Sequence, residues 1–175
     1  MNAEDELIRL ANNREAEAEE HLSALALDSP GVLGRQIRND LHLLVDRRRV
    51  RHSNEKIIQI EPIGGGLAEL TCRQVKFASG ARLDFQIQLE EDRRGCRLKR
   101  FKFHIHLPNE RSIKMVRIHL NHQIAHDPLS IPRCHFHVDD SDAHVPFPAM
   151  NPRLILHLIC EHIEPDFGAR NGSSR

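Results

Sequence analysis

Apolar positions keep a helical period in the early part of the chain and a period of two through most of the remainder. Over residues 3–27, Leu7, Ala11, Ala18, Leu22 and Leu25 keep to one stripe while Glu and Asn fill the rest, which predicts an amphipathic helix. Ser29-Pro30 then reads as an N-cap followed by proline at the first helical position. A second helix is expected to run to about Val45 and to bury Leu33, Ile37, Leu41 and Leu44. Together the two predict a helical hairpin ahead of a sheet.

Strand patterning begins with a short candidate at Lys56–Ile60 and breaks at Gly64-Gly65-Gly66. That triplet lacks the GKS/T ending of a phosphate-binding loop and reads as a turn. Leu67–Phe77, a Ser79-Gly80 turn, and Arg82–Leu89 come next, the last with Leu83, Phe85, Ile87 and Leu89 on one face. After a turn at Glu90–Gly95, Arg97–Leu107 sets Phe101, Phe103, Ile105 and Leu107 against Arg100, Lys102, His104 and His106, with Lys99 out of step. Ile113–Leu120 sets Val116, Ile118 and Leu120 against Arg117 and His119, and Cys134–Val138 sets Cys134, Phe136 and Val138 against His135 and His137. Asn151-Pro152 opens a last helix with Leu154, Ile155, Leu158 and Ile159 as its expected buried face. The fold class expected is α+β: a helical hairpin over 1–46, an antiparallel meander with a C-terminal helix packed on it over 47–164, and a disordered tail over 165–175. The first two form one compact domain.

Composition narrows the setting. No apolar run approaches the roughly 20 residues needed to cross a bilayer, so no membrane role is expected. The start of the chain is acidic and lacks the basic and apolar regions of a secretory signal. Cys72, Cys96, Cys134 and Cys160 are far apart with no CxxC pair, so neither a disulfide framework nor a cysteine zinc site is indicated. A reduced cytoplasmic compartment is the expectation. The formal charge is zero, yet residues 1–28 are acidic and residues 93–119 basic. Such blocks pair within the molecule, meet a charged partner, or are solvated faces with no partner. Trp and Tyr are absent, which leaves no large aromatic platforms for stacking bases.

The candidate chemistry lies in the alternation itself. If the later strands share one antiparallel sheet with their apolar sets on the core side, His104, His106, Arg117, His119, His135 and His137 share the other face. A surface of this kind can bind a metal through neutral imidazole, pass protons in phosphodiester transfer, or hold phosphate beside Arg100, Lys102 and Arg117. It can equally be a solvated sheet face without a ligand. His104-Ile-His106 followed by Glu110 resembles the first metal motif of the cupins, but the glycine expected after that glutamate and the second motif are missing. Asp139, Asp140 and Asp142 follow His137 and would add carboxylates, or simply build a turn. No GxSxG elbow appears, and the strand cysteines alternate with core residues, so nucleophilic catalysis has little support.

From Cys134 to Cys160 the chain resembles the C-terminal part of the TumE-like toxin family of bacterial toxin–antitoxin systems. The matching pattern is His135-Phe136-His137-Val138, a proline-bearing connection, then Pro148-Ala149-Met150 entering an apolar helix. The resemblance implies a compact α+β protein with growth-inhibiting activity and an antitoxin protein as partner. It carries over His135 and His137 alone, and the N-terminal hairpin is additional to the family pattern.

The resulting expectation is a toxin or defence-like protein that acts on or binds RNA. His104, His106, His135 and His137 would be its acid–base groups, with Arg100, Lys102, Arg117 and His119 holding phosphate. The first alternative is a metalloprotein using the same four histidines for a divalent transition metal such as zinc. The second is a non-catalytic module that binds a protein through its charged blocks.

Overall fold

The computed structural model of the protein describes residues 20, 22, 25, 27–46, 58–92, 95–108, 112–121 and 132–163. Helix α1 (Pro30–Asp46) begins where Ser29-Pro30 predicts it, and its Leu33, Ile37, Leu41 and Leu44 are all buried. Most of the predicted first helix, and the whole predicted tail, lie outside the described residues. One helix of the two predicted is thus described, and the pairing of the two as a hairpin lies outside the described residues. Leu27 has already left helical geometry and makes an isolated antiparallel bridge to Cys96.

Seven antiparallel strands form one meander whose spatial order is the chain order. They are β1 (Ile58–Gly64), β2 (Leu67–Lys76), β3 (Arg82–Asp92), β4 (Gly95–His106), β5 (Met115–Leu120), β6 (Cys134–Val138) and β7 (Val145–Pro146). Gly64 pairs with Leu67, so Gly65 and Gly66 form the two-residue turn, and both have positive φ as a type I′ hairpin requires.

Two bulges keep the pattern in phase. Arg73 and Gln74 lie between the pairs Cys72–Phe85 and Val75–Leu83, opposite Asp84 alone. Gln74 takes φ 63° there and donates its N–H to Asp84 Oδ1 at 2.6 Å. In β4, Arg100 pairs with Gln88 and Leu98 with Leu89, which leaves Lys99 as the extra residue. The bulge is why Lys99 breaks the alternation, and it returns Phe101, Phe103 and Ile105 to the core side.

The core lies on one face of the sheet. Leu83, Phe85, Ile87 and Leu89 of β3 and Phe101, Phe103 and Ile105 of β4 are buried, with Phe85 stacked on Phe103 at 5.3 Å between ring centroids. Helix α1 packs on β1 and β2. Helix α2 (Pro152–Leu158) continues as a π-helical turn (Ile159–Ile163) and is capped by Asn151, whose side chain accepts from the Arg153 N–H at 2.9 Å.

The expected buried face of this last helix needs correction. Ile155, Leu156, Ile159 and Cys160 are buried, whereas Leu154 is 60% exposed. Two overlapping apolar stripes were available, and the rotation follows Arg153. Its guanidinium grips the buried Asp40 of α1 through Nε at 2.7 Å and Nη2 at 2.9 Å, and donates to Gln36 Oε1 at 3.2 Å. Breaking a fully buried pair costs about 3–5 kcal/mol; Arg153 is partly open to water, so this clamp contributes less. It ties the two helices to each other across the same face and leaves the opposite face to other chemistry.

Candidate metal centre

The polar face is built by cross-strand register. One row runs Gln86, Lys102, His119, His135 and Pro146 across β3 to β7; the next runs Asp84, His104, Arg117 and His137 across β3 to β6. Directly opposed side chains stand about 4.5–5.5 Å apart at Cβ, so the two rows interlock. His104 Nε2 meets His119 Nε2 at 2.8 Å across the diagonal. His119 lies 5.5 Å from His135 and 5.0 Å from His137 between ring centroids. One ligand nitrogen from each of His119, His135 and His137 falls within 4.8 Å of the others.

The return of the chain from β6 to β7 brings a fifth imidazole. His144 lies 4.7 Å from the His135 ring and 5.0 Å from the His137 ring. In consequence this edge is not the solvated surface that strand alternation suggests. His135 is only 2% exposed and His137 8%, less than their apolar neighbours Phe136 and Val138. Polar groups so deep are costly unless they are satisfied.

Their satisfaction is uneven. His135 Nδ1 lies 2.6 Å from the Pro132 carbonyl. A carbonyl only accepts, so Nδ1 carries the proton and Nε2 presents a lone pair. For His137, neither ring nitrogen has a hydrogen bond of normal geometry among the described residues. The Ser141 backbone is close enough to favour its charged form slightly, but burial outweighs it and the pKa is lowered.

Burial is the leading cause of a lowered pKa in all four central histidines. His119 falls to about 3 through burial first, then the charges of His104, His137, His135 and Lys102. His104 is lowered by burial, Lys102, Arg117 and His106, against an opposing pull from Asp84. His135 is lowered by burial and His144, although its bond to Pro132 raises it. At neutral pH these rings are held neutral, the form that ligates metals.

The residues singled out by strand alternation thus divide. His135, His137 and His119 come together, with His104 bonded to His119; His119, expected beside phosphate, stands at the centre of the cluster. His106 lies apart at the rim, half-exposed, with Nε2 3.4 Å from Asp84 Oδ2. Lys102 and Arg117 flank the cluster, and Arg100 sits farther along β4 opposite Gln88.

The aspartates after His137 do not join it. Asp139, at φ 51°, accepts the backbone N–H groups of Lys114 and Met115 through Oδ1, each at 2.7 Å. Asp140 is fully exposed, 3.8 Å from Arg117. His144 escaped the strand pattern because β7 is two residues long and contains proline, which argues against a strand. Its signal is the Asp139-Asp140 turn, which folds the chain straight back on β6.

No protein-family model, curated protein or solved structure matches the chain. No described helix is long and apolar enough to cross a membrane.

Proposed function

We propose that this protein is a histidine-ligated metalloprotein in which His119, His135 and His137 hold one divalent transition metal of the zinc class. The observation that carries the reading is the convergence of three neutral imidazoles, two of them more than nine-tenths buried, with both nitrogens of His137 unpartnered among the described residues. Zinc–nitrogen bonds of about 2.0–2.1 Å place tetrahedral ligand nitrogens about 3.3 Å apart. The nitrogens now lie within 4.8 Å of one another, so the rings would have to draw together to reach that spacing around an ion. Tautomers favour the same end. Pro132 leaves His135 Nε2 free to ligate, and with His104 as acceptor His119 keeps its proton on Nε2 and offers Nδ1. Three protein ligands leave a position open, the pattern of catalytic sites, in which the metal lowers the pKa of bound water to about 7.

The RNA-directed, toxin-like reading draws on Arg100, Lys102, His104 and His106, which lie half-exposed along β4. Of the four histidines it needs, His135 and His137 are too deep for a polymer backbone to reach as the strands stand. Its antitoxin partner is tested by growth inhibition relieved by a neighbouring gene product. The metal reading is tested by titrating untagged, full-length protein with zinc against a chromophoric chelator. One zinc per chain is expected, with His119→Ala weakening binding by more than the about 10–100-fold typical of losing an outer-shell partner. His106→Ala leaves affinity unchanged. Equal affinity in wild type and His119→Ala overturns the assignment.

A further inference from the structure

Charge at the site points beyond the metal to what shares it. Lys102 stands directly across from His119, and Arg117 stands between His104 and His137 in the next row. Lys102 has no ion pair among the described residues. Arg117 gives Nη2 to the Asp139 carbonyl, and its carboxylate neighbour Asp140 is 3.8 Å away and wholly in water, where pairing is weak. Arg117 Nε is buried without an acceptor among the described residues. Asp139 is already committed to two backbone N–H groups. Three neutral imidazoles leave a dication's charge whole, so metal, lysine and guanidinium meet on one sheltered face and outweigh the carboxylates near them: Asp84, beyond His104 and 3.4 Å from His106, and Asp139 and Asp140 at the turn. A partly buried excess of this kind is unfavourable until an anion joins it.

We propose that the open coordination position takes a phosphoryl anion, free phosphate or a phosphate monoester, bound to the metal and held by Lys102 and Arg117. The assignment rests on the metal reading above. A phosphoryl group has three terminal oxygens and nearly two negative charges at neutral pH, one oxygen for each of the three positive centres. A carboxylate has two oxygens and one charge and leaves one centre unmet. Lysine serves as a compact point charge, while the guanidinium adds a permanent charge on a planar, directed group.

The test uses full-length protein loaded with cobalt(II), whose visible bands report the ligands around the ion. Inorganic phosphate, phenyl phosphate and acetate are titrated separately at constant ionic strength. Saturable band shifts with either phosphoryl compound, and weaker ones with acetate, support the proposal; a response to phenyl phosphate alone assigns the ester. Lys102→Gln is expected to weaken phosphoryl binding at least about 10-fold without weakening cobalt binding, since it removes a positive charge beside the ion. Arg117→Gln should do the same, and if that variant does not fold Lys102→Gln decides the matter alone. Cobalt bands that neither phosphoryl compound moves, that acetate moves equally, or that respond identically in Lys102→Gln overturn this proposal and leave the metal reading standing. If no cobalt bands form, both fall.

Discussion

Lowering the pH from 7 to 5 is expected to destabilise the metal-free protein, by about 1–2 kcal/mol through His119 alone. The lowered pKa values of His104, His119, His135 and His137 set the sign. In the unfolded chain these rings return to an ordinary pKa near 6.5, so between that value and their folded values the unfolded state binds more protons. Stability then rises with pH, with a limiting slope of about 1.4 kcal/mol per pH unit for a histidine that is protonated unfolded and neutral folded. Stability is full above about pH 6.5 and is lost as pH falls below it; for His119 the loss continues down to its folded pKa of about 3. His119 alone contributes about 1–2 kcal/mol between pH 6.5 and 5 once solvent screening at its open side is allowed for. The other three act in the same direction, against a total stability of about 5–15 kcal/mol for an ordinary domain. Urea unfolding at pH 7, 6 and 5 measures the slope, and His119→Gln should flatten it. A stability that does not change over this range contradicts the burial assigned to the histidines.

The second large effect is a reversal of sign at His137. In the metal-free protein this ring is buried, and its nitrogens make no hydrogen bond of normal geometry among the described residues, with only the Ser141 backbone close by; an unsatisfied buried group costs about 1–3 kcal/mol. Replacing it by leucine, apolar and of similar reach, is therefore expected to stabilise the metal-free protein by about 1–2 kcal/mol. Zinc acts oppositely. At free metal a thousandfold above the dissociation constant, wild type gains about 4 kcal/mol, while His137→Leu gains far less. Wild type is then the less stable protein without zinc and the more stable one with it. Thermal melts of both, with chelator and with zinc, give four midpoints. If the leucine variant is destabilised without metal, His137 is satisfied in some other way and its nitrogens are not waiting for an ion.

Much of the sheet was legible from alternation. Cys134–Val138 is the strand predicted, residue for residue, and the inward Leu83, Phe85, Ile87 and Leu89 are all buried. Lys99 announced its bulge by breaking step. What alternation cannot supply is the depth of the outer face. His135 and His137 were placed on the correct side, but their burial depends on a return stroke through His144 and a two-residue, proline-containing strand that has no pattern of its own. Pairing was hidden too. That His119 opposes His135, and Arg117 opposes His137, depends on how the chain between β5 and β6 closes, and no short turn sets that register. The rotation of α2 was settled by an ion pair between residues 113 positions apart, which no local period encodes.

X-ray absorption at the zinc edge, on full-length untagged protein loaded with one equivalent of zinc, tests the central claim most directly. Three imidazole nitrogens at about 2.0–2.1 Å, with the outer-shell scattering of their rings, and one further light ligand are expected. This imidazole signature should weaken in His119→Ala. A shell containing sulfur at about 2.3 Å, a shell of oxygens without imidazole scattering, or zinc that washes out in chelator-free buffer would contradict it.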